Sequence, residues 1–121
     1  MSNCSIDTDF DDYGSVTLRQ VVCKARKQHR CGECGRVINK GESYEAYNGV
    51  CEGDFFWAKT CSDCLSLRNS FFKGGFMFGG VRDEIHNYIS DVSGDVEESC
   101  IVNLTDNAKE FVFEAIEKEW V

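Results

Sequence analysis

Two cysteine pairs occupy the middle of the chain: Cys31-Gly32-Glu33-Cys34 and Cys61-Ser62-Asp63-Cys64, with 26 residues between them. Thiols in this pattern do metal chemistry. Two intervening residues let the backbone curl into a knuckle, so that both sulfurs of a pair face one ion. Two pairs supply four thiolates to a tetrahedral Zn²⁺, with Zn–S bonds of about 2.3 Å. Gly32 and Gly35 suit the tight turn, which favours residues tolerant of positive φ. An iron centre with four thiolates would leave the same trace in sequence. The expected ligands are Cys31, Cys34, Cys61 and Cys64, holding one structural zinc. Four protein sulfurs leave no open position for water or substrate, which catalytic zinc needs.

The chain has eight cysteines. A disulfide framework would suit a secreted protein. Residues 1–13 are acidic, however, and lack the apolar core of an export signal. A redox dithiol needs one pair in a thioredoxin-like βαβ setting, and the pattern does not show one. Cys4, Cys23, Cys51 and Cys100 have no partner at metal spacing and read as core thiols. His29 and Cys51 are the minor alternatives as ligands. His86 reads as a solvated side chain. Gly74-Gly75 and Gly79-Gly80 do not lead a strand into a helix as a phosphate cradle requires. No serine–histidine–acid set appears, so no catalytic residue is expected and the chain reads as a non-enzyme.

A chain of 121 residues is one domain by length. Residues 1–13 read as an acidic tail; the run Asp7, Asp9, Asp11, Asp12 lacks the glycine and glutamate of a calcium loop. Residues 14–121 form a single zinc-binding domain, with a finger core at 24–73 and a helical part at 76–121. Residues 15–28 are β-branched enough for a strand leading into the first knuckle. Residues 36–60 read as hairpin. Asn39-Lys40-Gly41-Glu42 is a turn, Ser43–Tyr47 alternates as a strand, Asn48-Gly49 signals a reversal, and Phe55–Thr60 delivers the chain to Cys61. The connection could extend through Val50-Cys51-Glu52-Gly53-Asp54. Thr60 and Asp63 suggest a capping box opening a helix, whose stripe continues through Leu65, Leu67, Arg68 and Phe71 or Phe72. Lys73-Gly74-Gly75 ends it.

The next helix is marked by Val81, Ile85, Tyr88, Ile89 and Val92, one face at helical spacing. Ser93-Gly94-Asp95 breaks it. Val96–Leu104 is mixed and reads as extended. Thr105 or Asp106 caps a last helix, about 107–120. Its inner stripe is Ala108, Phe111, Val112, Ala115, Ile116 and Trp120; Glu110, Glu114, Glu117 and Glu119 form its wet face.

A knuckle, a hairpin and a helix carrying the second ligand pair in its first turn match the treble-clef arrangement. The stretch Cys31-x-x-Cys34-Gly35-Arg36-x-Ile38-x-x-Gly41-Glu42-x-Tyr44 resembles the opening of many treble-clef fingers, LIM-type ones included. Ala25-Arg26-Lys27-x-His29-Arg30 before it and Lys59-Thr60-Cys61-x-x-Cys64-x-x-Leu67-Arg68 after it narrow the likeness. Residues 24–68 are similar to a group of small zinc-binding proteins of bacteriophages and prophages, as is Phe78-Gly79-Gly80-x-Arg82-x-Glu84. The resemblance implies an α+β fold, a treble-clef finger with two additional C-terminal helices, and the four cysteine ligands. It implies no activity.

Charge bears on partners. Net charge is −8, which opposes unspecific nucleic-acid binding by the chain as a whole. From Arg19 to Lys40 there are seven basic residues and one acid; from Asp83 to Val121 there are eleven acids and two lysines. Zn²⁺ with four thiolates carries a net −2, and the basic stretch neutralises such a centre. The expectation is a non-enzymatic, cytoplasmic protein that binds a macromolecular partner. If the phage likeness holds, the partner is a host protein in the host cytoplasm, met through Glu110, Glu114 and Glu117. The alternative is a nucleic-acid-binding finger using Arg26, Lys27, Arg30 and Arg36. Phe55, Phe56 and Trp57 could stack bases, although alternate positions of that strand are expected to face the core. No stretch approaches the ~20 apolar residues of a membrane span, and no small-molecule substrate is evident.

Overall fold

The computed structural model describes residues 15–51, 53–72 and 78–120. The acidic tail, the Lys73-Gly74-Gly75 helix stop and Cys4 lie outside the described residues, as does the side chain of Cys51. The chain is mixed α+β, with antiparallel sheets and three α-helices among the described residues. The order is β1 (Ser15–Lys24), β2 (His29–Arg30), β3 (Val37–Ile38), β4 (Ser43–Cys51), β5 (Asp54–Cys61), α1 (Ser62–Phe71), α2 (Val81–Asp91) and α3 (Asp106–Trp120).

β1, β4 and β5 form one sheet with β4 in the centre. β1 is rich in valine, which packs well on a pleated surface, and its register slips between Thr17 and Arg19. β2 and β3 pair separately, His29 with Ile38 and Arg30 with Val37. The Asn39–Glu42 turn closes as expected, with the Glu42 N–H on the Asn39 carbonyl at 3.0 Å and Gly41 at φ +91°.

The hairpin reversal is not at Asn48-Gly49. Both residues lie inside β4, paired with Trp57 and Phe56, and Cys51 pairs with Asp54. Gly53 takes φ +87° at the reversal. Glycine at 49 answers a different need. A Cβ there would stand 2.6 Å from the Val16 carbonyl oxygen and 2.8 Å from the Tyr47 hydroxyl. The close approach of β1 and the Tyr47 ring requires a residue without one.

Two buried clusters divide the molecule. The helical cluster takes Leu67 and Phe71 from α1, Val81, Ile85 and Ile89 from α2, and Ala108, Val112 and Ala115 from α3. These are the expected stripes. The stop after α2 also forms as read: Ser93 and Gly94 both take positive φ, and the Gly94 N–H reaches back to the Ile89 carbonyl at 2.8 Å. Trp120, expected inward, is 71% exposed. It lies across Gly94 and donates its ring N–H to the Ser93 carbonyl at 3.1 Å, because α3 outruns the core it packs on. The 96–104 segment is not extended; it turns through a 3₁₀ helix at Glu98–Cys100. Cys100 is fully buried there, and it is disulfide-bonded rather than a free core thiol. The second cluster gathers Ala25, Ile38 and Tyr44 around Cys31, Cys61 and Cys64.

Candidate metal centre

The knuckle between β2 and β3 supplies the first two sulfurs. The Gly35 N–H closes on the Cys31 carbonyl at 3.0 Å, and the Cys31 N–H on the Arg36 carbonyl at 2.9 Å. Gly35 takes φ +78°, a conformation that would strain any residue with a Cβ. The Gly32 N–H meets the Lys59 carbonyl at 2.7 Å, which fastens the knuckle to β5. β5 ends at Cys61, and Cys64 follows in the first turn of α1. Cys61 is also the helix N-cap: its sulfur accepts the Cys64 N–H at 3.5 Å. The expected Thr60–Asp63 capping box does not form, because the chain stays extended through Cys61.

All four sulfurs lie within 4.8 Å of one another. Cys34 and Cys61 are 3.8 Å apart. A tetrahedron with metal–sulfur bonds of about 2.3 Å has edges of about 3.8 Å, so the spacing fits one ion. Cys31, Cys61 and Cys64 are buried, and Cys34 is half-buried. The backbone N–H groups of Glu33 and Cys61 both reach the Cys31 sulfur at 3.3 Å. Such donors stabilise a thiolate and orient it.

The sulfurs are close enough to compete for ionisation. Hydrogen bonds from the Cys61 and Cys64 side chains hold the Cys31 thiol far below its usual value. The hydrogen bond with Cys31 in turn pushes the Cys61 thiol up to about 11. Cys64 is also pushed up, by its hydrogen bonds with Cys31 and then Cys61. One thiolate forms easily and resists the formation of the next. A dication held by Cys31, Cys34, Cys61 and Cys64 would remove that resistance and let all four ionise. The donor set and its spacing can hold a single metal ion.

His29 is not part of the cluster. Its Nε2 stands 3.5 Å from the Tyr44 hydroxyl, with the rings 5.1 Å apart. Burial, then Lys59 and Lys27, lower its pKa. Cys23 is a free thiol, half-buried beside the sulfur cluster.

The four basic residues of the nucleic-acid reading have different surroundings. Arg36 is half-buried between Glu42 at 3.0 Å and Asp63 at 3.3 Å, and also donates to the Val37 carbonyl. Its pKa is raised, first by Glu42 and also by the charge of Cys61. Arg30 is exposed and donates to the Gly35 carbonyl at 2.9 Å. Arg26 and Lys27 line a separate groove with Arg19. Glu110, Glu114 and Glu117 are all exposed on α3.

Two acids inside the knuckles carry more than the spacing suggested. Glu33 accepts the N–H groups of Gly79 at 2.8 Å and Val81 at 3.1 Å. The N-cap of α2 is Gly80, which has no side chain to offer, so Glu33 supplies the missing acceptor from across the fold. Asp63 accepts the Thr105 hydroxyl at 2.7 Å and the Asn107 amide at 3.3 Å, at the start of α3. Thr105 caps α3, as read, by accepting the Ala108 N–H at 3.2 Å. Each ligand pair thus holds one of the two C-terminal helices.

Sequence reasoning also missed an ion pair. Arg68 of α1 meets Glu45 of β4 through two contacts, 2.8 and 2.5 Å, with both residues buried. The signal was an arginine on an otherwise apolar helix stripe. No helix among the described residues is long and apolar enough to cross a membrane. No protein-family model, curated protein or solved structure matches the chain.

Proposed function

We propose that this chain is a non-enzymatic zinc protein: a treble-clef finger, stabilised by one structural Zn²⁺, that works by binding a macromolecular partner. The knuckle of β2–β3, the hairpin β4–β5 and α1 stand for the three parts of the finger. The single observation that carries the reading is the closed set of four cysteine sulfurs within 4.8 Å of one another. Such a set saturates a tetrahedral ion and leaves it nothing to bind or activate. Elemental analysis should find one zinc per chain, and cobalt substitution should give the absorption of a four-thiolate tetrahedral site. Replacing Cys31 or Cys64 with serine should unfold the middle of the chain, since structural zinc supplies folding free energy of order 10 kcal/mol. A metal-free protein that melts cooperatively at the same temperature would end this proposal.

The exposed acids of α3 support a protein partner with a basic surface, and the likeness to phage and prophage proteins suggests that it belongs to a host. Glu110, Glu114 and Glu117 are neighbours at helical spacing, where like charges repel mildly. Changing all three to glutamine should leave the fold intact and slow association with a partner captured by pulldown, because charge complementarity acts chiefly on the association rate. An association rate unchanged by the substitutions and by salt would mark the face as ordinary solvated surface.

A further inference from the structure

The sheet has two unlike faces. Glu45, Tyr47 and Phe56 lie on the face that meets α1 and Phe78. Strand alternation and register put Arg19, Val21, Ala46, Trp57, Phe55 and Lys59 on the other. That face is open. Trp57 is 67% exposed and Phe55 64% exposed, and their rings lie nearly parallel with centroids 6.4 Å apart. The strand alternates as expected: half-buried Phe56 packs against Tyr47 and Phe78, and Phe55 and Trp57 turn to the open side.

A groove of about 1000 Å³ opens on the same face at its metal-site end. Its lining includes Tyr44, Cys23 and Ala46 together with Arg19, Lys24, Arg26, Lys27, His29 and Lys40. A smaller hollow of about 220 Å³ shares Arg19 and Ala46 with it and continues to Trp57 and Lys59. Together they make one trough from Lys27 to Trp57, with the Phe55 ring beside Trp57. None of the described residues that line it is acidic. The ion pairs among the described residues occupy Arg36 and Arg68, not these cations. The net charge of −8 conceals this, because the last 39 residues hold eleven of the acids.

We propose that this trough binds single-stranded nucleic acid, with phosphates on its basic side chains and bases stacked on Trp57 and Phe55. Cations in a groove beside solvent-facing rings on a strand are the combination that sequence-tolerant single-strand binders use. A duplex keeps its bases inside and would leave the rings idle. An acidic peptide would answer the cations but offers the rings no flat partner. The site differs from the acidic α3 face and does not depend on a protein partner there.

The test uses the intact zinc-loaded protein and a labelled oligothymidylate of about 15 nucleotides, within the range of single-strand site sizes. Anisotropy is read at about 50 mM salt and upward, since phosphate contacts weaken as salt rises. Binding should be tighter than to a duplex or to polyglutamate, and log affinity should fall with log salt by about 0.7 per phosphate contacted. Trp57→Ala should weaken binding about 5- to 100-fold. Replacing Arg26 and Lys27 with alanine should lower the salt slope by about 1.4. Zinc content and circular dichroism are measured on each variant. Lys109→Ala, in α3, should change nothing. If the folded, zinc-loaded protein does not bind the oligomer, or binds duplex or polyglutamate as well, the proposal is wrong and the zinc reading is untouched. Binding that survives Trp57→Ala undiminished also overturns it. If Trp57→Ala loses its fold, Trp57→Phe should retain most of the affinity, and loss there in a folded protein counts against stacking.

Discussion

Glu33, set between two ligand cysteines, accepts the backbone N–H of Val81, the first residue of α2, at 3.1 Å. A carboxylate at a helix start satisfies a donor that has no partner within the helix, and its charge suits the positive end of the helix dipole. The metal site and the helical half are therefore joined through a side chain that belongs to the knuckle.

Glu33→Ala should destabilise the fold by about 1 kcal/mol, the usual cost of losing a cap. Zinc stoichiometry should stay at one. Hydrogen exchange should speed up at Gly79 and Val81 before other parts of α2. Unchanged exchange there would show that the contact carries no weight in solution.

Thr105→Val removes both the cap of α3 and the hydroxyl that Asp63 accepts. A loss of about 1–2 kcal/mol is expected, with the metal retained. Chelating the metal should go further and loosen α2 and α3, because Glu33 and Asp63 lose their positions when the knuckles open. Near-ultraviolet dichroism, which reports packing around the aromatic side chains, should collapse on chelation.

The Glu45–Arg68 pair should behave as a buried ion pair does. Arg68→Met alone leaves Glu45 buried without its partner and should cost about 3–5 kcal/mol. Adding Glu45→Leu should recover most of that, since the uncompensated charge is gone. Denaturant unfolding of the single and double variants measures the difference.

Glu42 accepts from Arg36 and from the backbone and side chain of Asn39. These contacts hold its pKa below the ordinary carboxylate value, Arg36 contributing most. A lowered folded-state pKa means that its stabilisation is present above the unfolded value and is lost as pH falls through the folded one. Glu42→Gln should flatten the stability profile on the acid side of the carboxylate range and leave it parallel to the parent near neutrality. The effect is small, because the pair faces solvent.

The sulfur cluster, the helix stripes and the Asn39–Glu42 turn were legible because each is a local pattern with a fixed period or spacing. The hairpin reversal was not. Asn48-Gly49 has the composition of a tight turn, but Gly49 is there to admit the Val16 carbonyl and the Tyr47 ring, and Val16 lies far away in sequence. Trp120 was misplaced for a related reason. Periodicity says which way a side chain points, not how far the opposing core extends. Asp63 was read as a local capping-box partner and Glu33 was given no role, since nothing local shows that the start of α2 lies over the first knuckle or that α3 begins beside α1. The two faces of β5 were half legible: alternation separates Phe56 from Phe55 and Trp57, but it does not say which side α1 covers.

Cys61 ends β5, caps α1 and belongs to the sulfur cluster. The strand-to-helix junction therefore has no slack. An insertion of one residue between Cys61 and Cys64 would swing the later thiol about 100° around the helix axis, away from the other three. It would carry Leu67, Arg68 and Phe71 off their faces in the same movement. Length variation in relatives of this chain should be absent from this junction and should collect at the β4–β5 reversal and between α2 and α3, where no ligand keeps count.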